Sequence, residues 1–333
     1  HRDLHVRLHS FPTRRSSDLL SAIRPGTRVV LVGDADQLPP VGPGDVLRDL
    51  MASGLVPVVR LSTIFRQAAG SRIVANAHRI LQGGMPEFVQ SLDSDCFFVE
   101  KETPEEMAQA CVRLVSEILP IHYRIDPVAD TQVLAPMRRG PAGVTELNQA
   151  LQEALRPFLS RTGTREAGKE NREDGLEHRG FVYRAGDKVI HTKNDYDLAW
   201  NGIGPLAGST GSGVFNGETG TILEVGAEAG VVLVEYDGER VVPYDRERLV
   251  HLDPAYAVTV HKSQGSEYPV VVLVLPAGPP TLLCRSLLYT AVTRARRRLF
   301  LISNRRVLHL AVRNQERAAR HTALARWLSE PVS

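Results

Sequence analysis

Cysteines and long apolar runs are scarce in this sequence. Its three cysteines, Cys96, Cys111 and Cys284, have neither paired nor metal-ligand spacing, so they predict no disulfide framework and no zinc site. No apolar run approaches the roughly 18 residues that a membrane span needs, and the longest, such as 269–276, have the length of a strand. These absences predict a cytoplasmic protein without a membrane-spanning segment.

A large charge of one sign is also missing, since the formal net charge is only +2. The 43% of hydrophobic and 23% of charged residues are ordinary for a globular protein, and 333 residues are enough for two or three domains. The basic residues are unevenly distributed, with ten arginines and one acid between Arg285 and Arg320. That segment fits either the solvated face of a helix or a contact surface for nucleic-acid phosphates.

Regular structure is not predicted before Leu20. Residues 11–19, Phe-Pro-Thr-Arg-Arg-Ser-Ser-Asp-Leu, resemble the translation of a common sequencing adapter. We therefore interpret residues 1–19 as a non-native segment, with a polar N-terminal tail as the alternative. If an adapter was joined here, the natural protein continues upstream and this chain is a piece of it.

Strands and helices alternate in the outer parts of the chain. Short β-branched runs predict buried strands at 28–32, 131–135, 270–275 and 298–303. Helical periods occur at 45–53, 71–81, 104–119, 143–159, 286–296 and 307–328. This alternation predicts an α/β fold built on a parallel sheet.

The central part of the chain has a different pattern. Residues 160–179 are polar, charged and without a period, which indicates a surface connection. Short alternating strands follow at 181–193, 219–225, 230–236 and 240–243. They predict a small β-barrel inserted in the α/β domain, and the Gly/Ser-rich residues 199–213 predict an extra flexible loop.

A string at residues 33–44, Gly-Asp-Ala-Asp-Gln-Leu-Pro-Pro-Val-Gly-Pro-Gly, follows the first predicted strand. Loops in this position bind ligands in parallel sheets, although Asp34 and Asp36 alone would fit simple turn formers. The whole string resembles motif III of superfamily 1 helicases, in its RecD-like branch. The resemblance implies that Gln37 senses the γ-phosphate and Asp34 lies in the nucleotide site, with Pro39 and Pro40 near single-stranded DNA. An amide suits the sensor because it can both donate and accept hydrogen bonds.

The string at residues 257–267, Ala-Val-Thr-Val-His-Lys-Ser-Gln-Gly-Ser-Glu, resembles motif V of the same branch. By itself, His261 would fit an ordinary structural histidine. The resemblance implies that Thr259 and His261 contact the DNA backbone, Gly265 lets the chain approach the nucleotide and Glu267 bonds the ribose. Glycine suits that place because a side chain would block the approach.

Two arginines are candidates for phosphate contacts. Arg66, in the string Leu-Ser-Thr-Ile-Phe-Arg-Gln at 61–67, is placed similarly to motif IV, and Arg294, in Leu-Tyr-Thr-Ala-Val-Thr-Arg-Ala-Arg at 288–296, resembles motif VI. The resemblance implies that Arg66 reaches the γ-phosphate and that Arg294 is an arginine finger. A planar, permanently charged fork suits both roles, whereas a lone arginine is usually a surface charge.

The resemblance extends from about Leu20 to Leu328 and implies an architecture. Residues 20–60 would end a first RecA-like domain, 61–165 and 253–333 would form a second RecA-like sheet of the P-loop NTPase type, and 166–252 would hold an inserted SH3-like barrel with its linker. Within that barrel, Asn216 is implied as a DNA-binding residue.

The same resemblance implies a function. It is that of an ATP-dependent 5′ to 3′ DNA helicase in repair or recombination, which uses ATP and magnesium. Its partners would be single-stranded DNA and duplex junctions, with nucleases or single-strand-binding proteins as candidate protein partners.

Two sequence features of that function are missing from the chain. No Gly-x-x-x-x-Gly-Lys-Ser/Thr string occurs, and no Asp-Glu pair precedes Val29. In the family both lie upstream of motif III and hold the phosphates and the magnesium. Because phosphoryl transfer depends on that positioning, we expect this chain alone not to hydrolyse ATP.

Two other interpretations stay open at this stage. One is a non-catalytic DNA-binding module made of the barrel and the basic C-terminal face. The other is the helicase domain of a conjugative relaxase, which shares motifs III, V and VI in looser form. A histidine cluster for metal, encoded upstream, would indicate the relaxase.

Overall fold

The computed structural model describes residues 5–7, 21–39, 44–61, 70–89, 91, 93–162, 175–226, 230–315 and 324–329. Its helices are α1 (Val46–Ser53), α2 (Arg72–Leu81), α3 (Pro104–Arg113), α4 (Leu119–His122), α5 (Val144–Thr162), α6 (Arg285–Val292), α7 (Arg305–Arg313) and α8 (Leu324–Ser329). A π-helical turn, Leu114–Ile118, joins α3 to α4. Within these described ranges, no helix combines the length and the apolar character needed to cross a membrane.

A parallel sheet of five strands forms the centre of the α/β part. Its strands are β3 (Cys96–Glu100), β4 (Thr131–Ala135), β14 (Ala257–Thr259), β15 (Tyr268–Leu275) and β16 (Ala295–Ser303). They are hydrogen-bonded in the order β14-β4-β15-β16-β3, every pair being parallel. The predicted parallel α/β sheet is therefore confirmed.

Helices cover both faces of this sheet. Successive residues of a strand point to opposite faces, so Val133 and Val272 pack into the layer that contains α3 and α5, whereas Leu134 and Leu273 pack into the layer that contains α2 and α6. Burial on both sides explains why β15 is almost continuously apolar instead of alternating. All five residues of β4 are buried as well.

A second sheet, here called the inserted sheet, lies between α5 and β14 in the chain. It comprises β7 (Lys188–His191), β8 (Asp195–Gly202), β9 (Thr210–Val214), β10 (Thr219–Gly226), β11 (Val231–Tyr236), β12 (Arg240–Tyr244) and β13 (Leu252–Pro254). Its antiparallel order is β13-β7-β10-β11-β12-β8-β9. A separate hairpin, β5 (Leu176–His178) with β6 (Phe181–Tyr183), precedes it. The short strands predicted for this region are confirmed.

The flexible loop predicted for residues 199–213 is wrong. Most of this segment belongs to a hairpin, in which Trp200 of β8 faces Gly211 of β9 and a 3₁₀ turn at Gly204–Leu206 makes the connection. A side chain on Gly211 would overlap the Trp200 ring, so this glycine makes room for a neighbour and does not loosen the chain. Glycine-rich composition therefore has a packing reason here.

The single helix predicted for residues 307–328 is also wrong. Helix α7 ends at Arg313, and Asn314 leaves the helical conformation at φ −73° and ψ 107°. Its side-chain amide donates to the carbonyls of Pro280 at 2.8 Å and Leu283 at 2.9 Å. The side chain of Asn314 is thus engaged by a neighbouring loop, and it competes with continuation of the helix.

A short strand lies near the N-terminus. Strand β1 (His5–Arg7) pairs in parallel with β2 (Val30–Val32), so the expectation of no strand before Leu20 is wrong for residues 5–7. The non-native origin of residues 1–19 stays a prediction.

Lys188 ties the inserted sheet to the parallel sheet. Its Nζ donates to the carbonyls of Val128 at 3.0 Å and Thr131 at 3.1 Å, next to β4. Burial lowers the pKa of Lys188 to about 8, and the charges of Asp126 and Asp130 oppose this shift only in part. The folded protein therefore holds this proton less tightly than the unfolded chain does.

This shift predicts a pH dependence of stability. Between the folded pKa of about 8 and the ordinary value of 10.5, stability contributed by Lys188 is gained as the pH rises. Over that window, the free energy of unfolding of the wild type should rise by up to ~3 kcal/mol relative to Lys188→Met. Urea denaturation at a series of pH values measures this gap, with Lys193→Met, at an exposed lysine, as the control. A wild-type-to-variant gap that stays constant across the window would contradict the assignment.

Candidate nucleotide-sensing site

The loop after β2 is organised by the carboxylate of Asp34. Its Oδ1 accepts the backbone N–H of Asp36 at 3.0 Å, and its Oδ2 accepts Nε2 of Gln37 at 2.8 Å. The first bond is a local turn of the kind that aspartate favours. The second fixes the orientation of the Gln37 amide, because Nε2 is committed to Asp34 and Oε1 must face away from it.

Arg294 meets that amide from the other side of the site. Its guanidinium Nη2 donates to Gln37 Oε1 at 3.0 Å, Nη1 to the carbonyl of Ser266 at 2.9 Å, and Nε to the carbonyl of Thr290 at 3.1 Å. Arg294 is only 4% exposed. A planar fork with several fixed donors can join three segments in this way, whereas a lysine cannot. The two residues predicted as sensor and finger are therefore in direct contact.

Three further residues, which the sequence reasoning did not assign, attach this loop to the second half of the chain. Tyr289 Oη donates to Asp34 Oδ2 at 3.1 Å, Thr290 Oγ1 accepts the N–H of Leu38 at 2.8 Å, and Gln264 Nε2 donates to the carbonyl of Leu38 at 2.6 Å. All three lie inside the strings that resemble motifs V and VI, and Arg294 is in the turn that follows α6, where its Nε donates back to the carbonyl of Thr290. Their positions in those strings were the available signal.

Tyr289 is a hydrogen-bond donor at neutral pH. Burial raises the pKa of Tyr289 well above its usual range, and the negative charge of Asp34 raises it further. The phenol therefore keeps its proton and continues to hold the Asp34 carboxylate.

The motif V segment begins with β14 and continues past the carboxyl end of that strand. Thr259 and His261 are partly buried there, and Thr259 Oγ1 accepts the N–H of Lys262 at 3.2 Å. Lys262 Nζ in turn donates to Asp253 Oδ2 at 3.0 Å. The segment thus lies at the edge of the parallel sheet, where ligands bind in such folds.

Gly265 and Glu267 complete the segment. Gly265 has a φ of +85°, and a Cβ there would meet no atom within 4 Å. A glycine is favoured here because of the positive φ, which other residues rarely adopt, and not because a side chain would be crowded. Glu267 Oε2 accepts Nε of Arg296 at 2.9 Å and directly follows Ser266, whose carbonyl binds Arg294.

Apart from Thr259, His261 and Gly265, which lie in the motif V segment described above, the predicted site residues divide into three groups. Asp34, Gln37 and Arg294 are joined by hydrogen bonds, Glu267 lies next to them along the chain, and Pro39 directly follows the pinned Leu38. Asn216 is elsewhere, exposed in the turn before β10, where its N–H donates to Asn194 Oδ1 at 2.9 Å. Arg66 and Pro40 lie outside the described residues.

A metal site is not found in this part of the molecule. Across the described ranges, no group of three or more His, Cys, Asp and Glu residues is arranged to hold a metal ion.

Three family models match this chain. They are the UvrD-like helicase C-terminal domain at residues 254–302, an AAA domain at residues 10–102, and the ATP-dependent RecD-like DNA helicase SH3 domain at residues 147–236. The first covers the segments similar to motifs V and VI, and the third covers most of the inserted sheet.

The chain is also similar to curated proteins along nearly its whole length. It is 37% identical over 306 residues to the ATP-dependent RecD2 DNA helicase of Deinococcus radiodurans. This alignment covers 92% of this chain and 36% of the relative. It is 32% identical over 325 residues to the RecBCD enzyme subunit RecD of Mycolicibacterium smegmatis. This alignment covers 93% of this chain and 51% of that relative. The chain thus spans between about a third and a half of the length of these relatives.

Among solved structures, the crystal structure of the Pif1 helicase from Candida albicans is similar at 18% identity. The match has a TM-score of 0.45 and covers 89% of this chain and 70% of that one.

Proposed function

Because this chain belongs to the RecD-like superfamily 1 helicases, we propose that it supplies the second motor domain, the motif III loop and the SH3-like domain of an ATP-driven helicase. In this proposal, 20–60, 61–165 with 253–333, and 166–252 are the three structural parts. The motor moves 5′ to 3′ on single-stranded DNA, in repair or recombination in the cytoplasm. Duplex junctions are its second ligand, and nucleases or single-strand-binding proteins are its candidate partners.

One observation carries this proposal. The amide of Gln37 and the guanidinium of Arg294 meet at 3.0 Å although they come from opposite ends of the chain. An amide and a guanidinium in contact can bind the spread-out charge of a transferred phosphoryl group. Both are held by second residues, Asp34 and the carbonyl of Ser266, so the pair is preorganised.

The roles of the other predicted residues are part of the same proposal. Arg66 adds a second cation to the γ-phosphate, Gly265 and Glu267 bind the nucleotide, and Pro39, Pro40, Thr259, His261 and Asn216 contact DNA. ATP and magnesium are the nucleotide and the cofactor. In this proposal Gln37 and Arg294 contact the transferred phosphoryl group, and a P-loop, which this sequence lacks, holds the other phosphates together with the magnesium.

The proposal predicts that the chain binds single-stranded DNA but does not turn over ATP. Phosphate release from ATP, measured on the purified chain with and without oligo-dT, should not exceed that of Arg294→Ala, which serves as a control for contaminating ATPases. Fluorescence anisotropy with oligo-dT should show binding that weakens as salt is raised, because phosphate contacts release counterions.

The two parts of this test fail separately. DNA-stimulated hydrolysis that Arg294→Ala abolishes would contradict the expected inactivity, and it would support the nucleotide site when circular dichroism shows that the variant is folded under the assay conditions. Lack of oligo-dT binding at low salt would contradict the assignment of the DNA-contacting residues.

A further inference from the structure

Two exposed aromatic rings lie side by side on the inserted sheet. Tyr196 on β8 and Phe215 just after β9 are each 41% exposed. Their ring centroids are 5.5 Å apart, with an angle of 71° between the planes. Single exposed apolar side chains are common on protein surfaces, but a held pair of aromatic rings is typical of a binding surface.

Neighbouring side-chain and backbone groups contact both rings. The N–H of Asn216 donates to Asn194 Oδ1 at 2.9 Å, and Asn194 Nδ2 donates to Tyr196 Oη at 3.5 Å. Gly213 has a φ of +108°, and a Cβ there would lie 3.4 Å from Phe215 Cζ, so the Phe215 ring rests against bare backbone. Rings that are already ordered lose little conformational entropy when a ligand stacks on them.

The groups next to the rings suit one class of ligand. The amide side chains of Asn194 and Asn216 can donate to and accept from the edge of a base. Lys193 is exposed and carries a charge that suits a phosphate, and the nearby carboxylate of Asp195 is 3.8 Å from Nε of Arg248, which offsets its charge. Aromatic faces, amides and a cation together are the components of a site for single-stranded nucleic acid.

We propose that Tyr196 and Phe215 form a stacking platform for bases of single-stranded DNA. The platform lies on the inserted sheet beside Asn216, whose contact with DNA is part of the proposed function, and it adds base stacking to the contacts of the motif III and motif V loops. This inference rests on the proposed function for the presence of DNA. The rings contribute mainly through base stacking, and the amides of Asn194 and Asn216 orient the base.

The test compares two labelled oligonucleotides of equal length, about 15 nucleotides so as to fill one such site. One is oligo-dT, and the other is an abasic strand that keeps the phosphates and lacks the bases. Tyr196→Ala and Phe215→Ala should each weaken binding of oligo-dT by about 5- to 150-fold and leave binding of the abasic strand unchanged. Tyr196→Phe keeps the ring and should retain wild-type affinity. Leu223→Ala, at an exposed apolar residue on β10, is the matched control.

Each other outcome has a defined meaning. Equal affinity of the two alanine variants and the wild type for oligo-dT would overturn the platform while leaving DNA binding by the chain intact. A loss that is as large for the abasic strand would overturn stacking as the mechanism. If the alanine variants form a smaller oligomer than the wild type but bind oligo-dT with the same affinity, the two rings form a contact between copies of this chain instead. Absence of wild-type binding to both strands would overturn the proposed function itself.

Discussion

Arg294→Ala is expected to lower the free energy of unfolding of this chain by about 3–5 kcal/mol. The guanidinium is 4% exposed, and its removal leaves the carbonyl of Ser266 and the Oε1 of Gln37 without this donor. The carbonyl of Thr290 loses one of two donors, because it also accepts the Thr293 hydroxyl. A buried acceptor that loses its partner costs more than the hydrogen bond itself contributes. Urea denaturation followed by far-UV circular dichroism measures the difference.

Arg296→Ala is the matched control for this experiment. Arg296 lies two residues away and also bonds a polar partner, Glu267, but its side chain is 60% exposed, so its ion pair is screened by solvent. We expect its loss to change stability by less than about 1 kcal/mol. Arg294→Lys should recover only part of the lost stability, because an ammonium cannot present three donors in one plane. Similar stabilities of Arg294→Ala and Arg296→Ala would show that the Arg294 contacts do not join the segments as described.

The second large effect is expected at Asp187. This carboxylate is 2% exposed and lies just before β7, where its Oδ1 accepts Tyr256 Oη at 2.8 Å. Its Oδ2 accepts Gln152 Nε2 at 2.6 Å and the N–H of Arg184 at 2.8 Å. It thus links the inserted sheet to α5 and to the residue that leads into β14.

Asp187→Ala should reduce the free energy of unfolding by about 3–5 kcal/mol, because it leaves three donors without this acceptor, two of them on the buried side chains of Gln152 and Tyr256. Glu224→Ala, at an exposed acid on β10, is the control and should change it by less than about 0.5 kcal/mol. Thermal and urea denaturation measure both. If Asp187→Ala lowers the free energy of unfolding no more than Glu224→Ala does, the Asp187 carboxylate does not stabilise this junction.

The effect of Asp187 should also depend on pH. Burial raises the pKa of Asp187 above its ordinary value of 3.8, and the hydrogen bonds from Tyr256, Arg184 and Gln152 lower it only in part. The folded state therefore binds this proton more tightly than the unfolded chain. The stability that this group contributes is gained as the pH falls through the folded pKa towards 3.8. The difference in free energy of unfolding between the wild type and Asp187→Ala should therefore increase on acidification.

Tyr256 connects this junction to the motif V segment. It is the residue before Ala257, the first residue of β14, and Asn148 of α5 brackets Ala257 with two hydrogen bonds of 2.9 Å each. Gln132 of β4 also donates to the carbonyls of Ala255 and Tyr256. The start of β14 is therefore held by side chains from both α5 and β4, which places Thr259 and His261 at the sheet edge.

Local sequence patterns were sufficient for several elements. The strand predicted at 131–135 agrees with β4, because a short segment containing Val and Leu between two helical periods is typical of a strand in an alternating α/β fold. The helix predicted from Pro104 starts there, because Thr103 and Glu106 form a capping box around a first-turn proline. Strand β3 at Cys96–Glu100 was not predicted from the sequence. Its residues, Cys-Phe-Phe-Val-Glu, do not alternate between apolar and polar.

The sequence by itself determined the family, the parallel α/β alternation and the strings that hold the site residues, because these are written in neighbouring residues. Only the tertiary structure decided that Gln37 meets Arg294, that Tyr289, Thr290 and Gln264 hold the loop between them, and that residues 195–214 pair as a hairpin. Gln37 and Arg294 are 257 residues apart in the chain. Contacts at that separation depend on how whole sheets and helices pack, and no local period records which side chains that packing brings together.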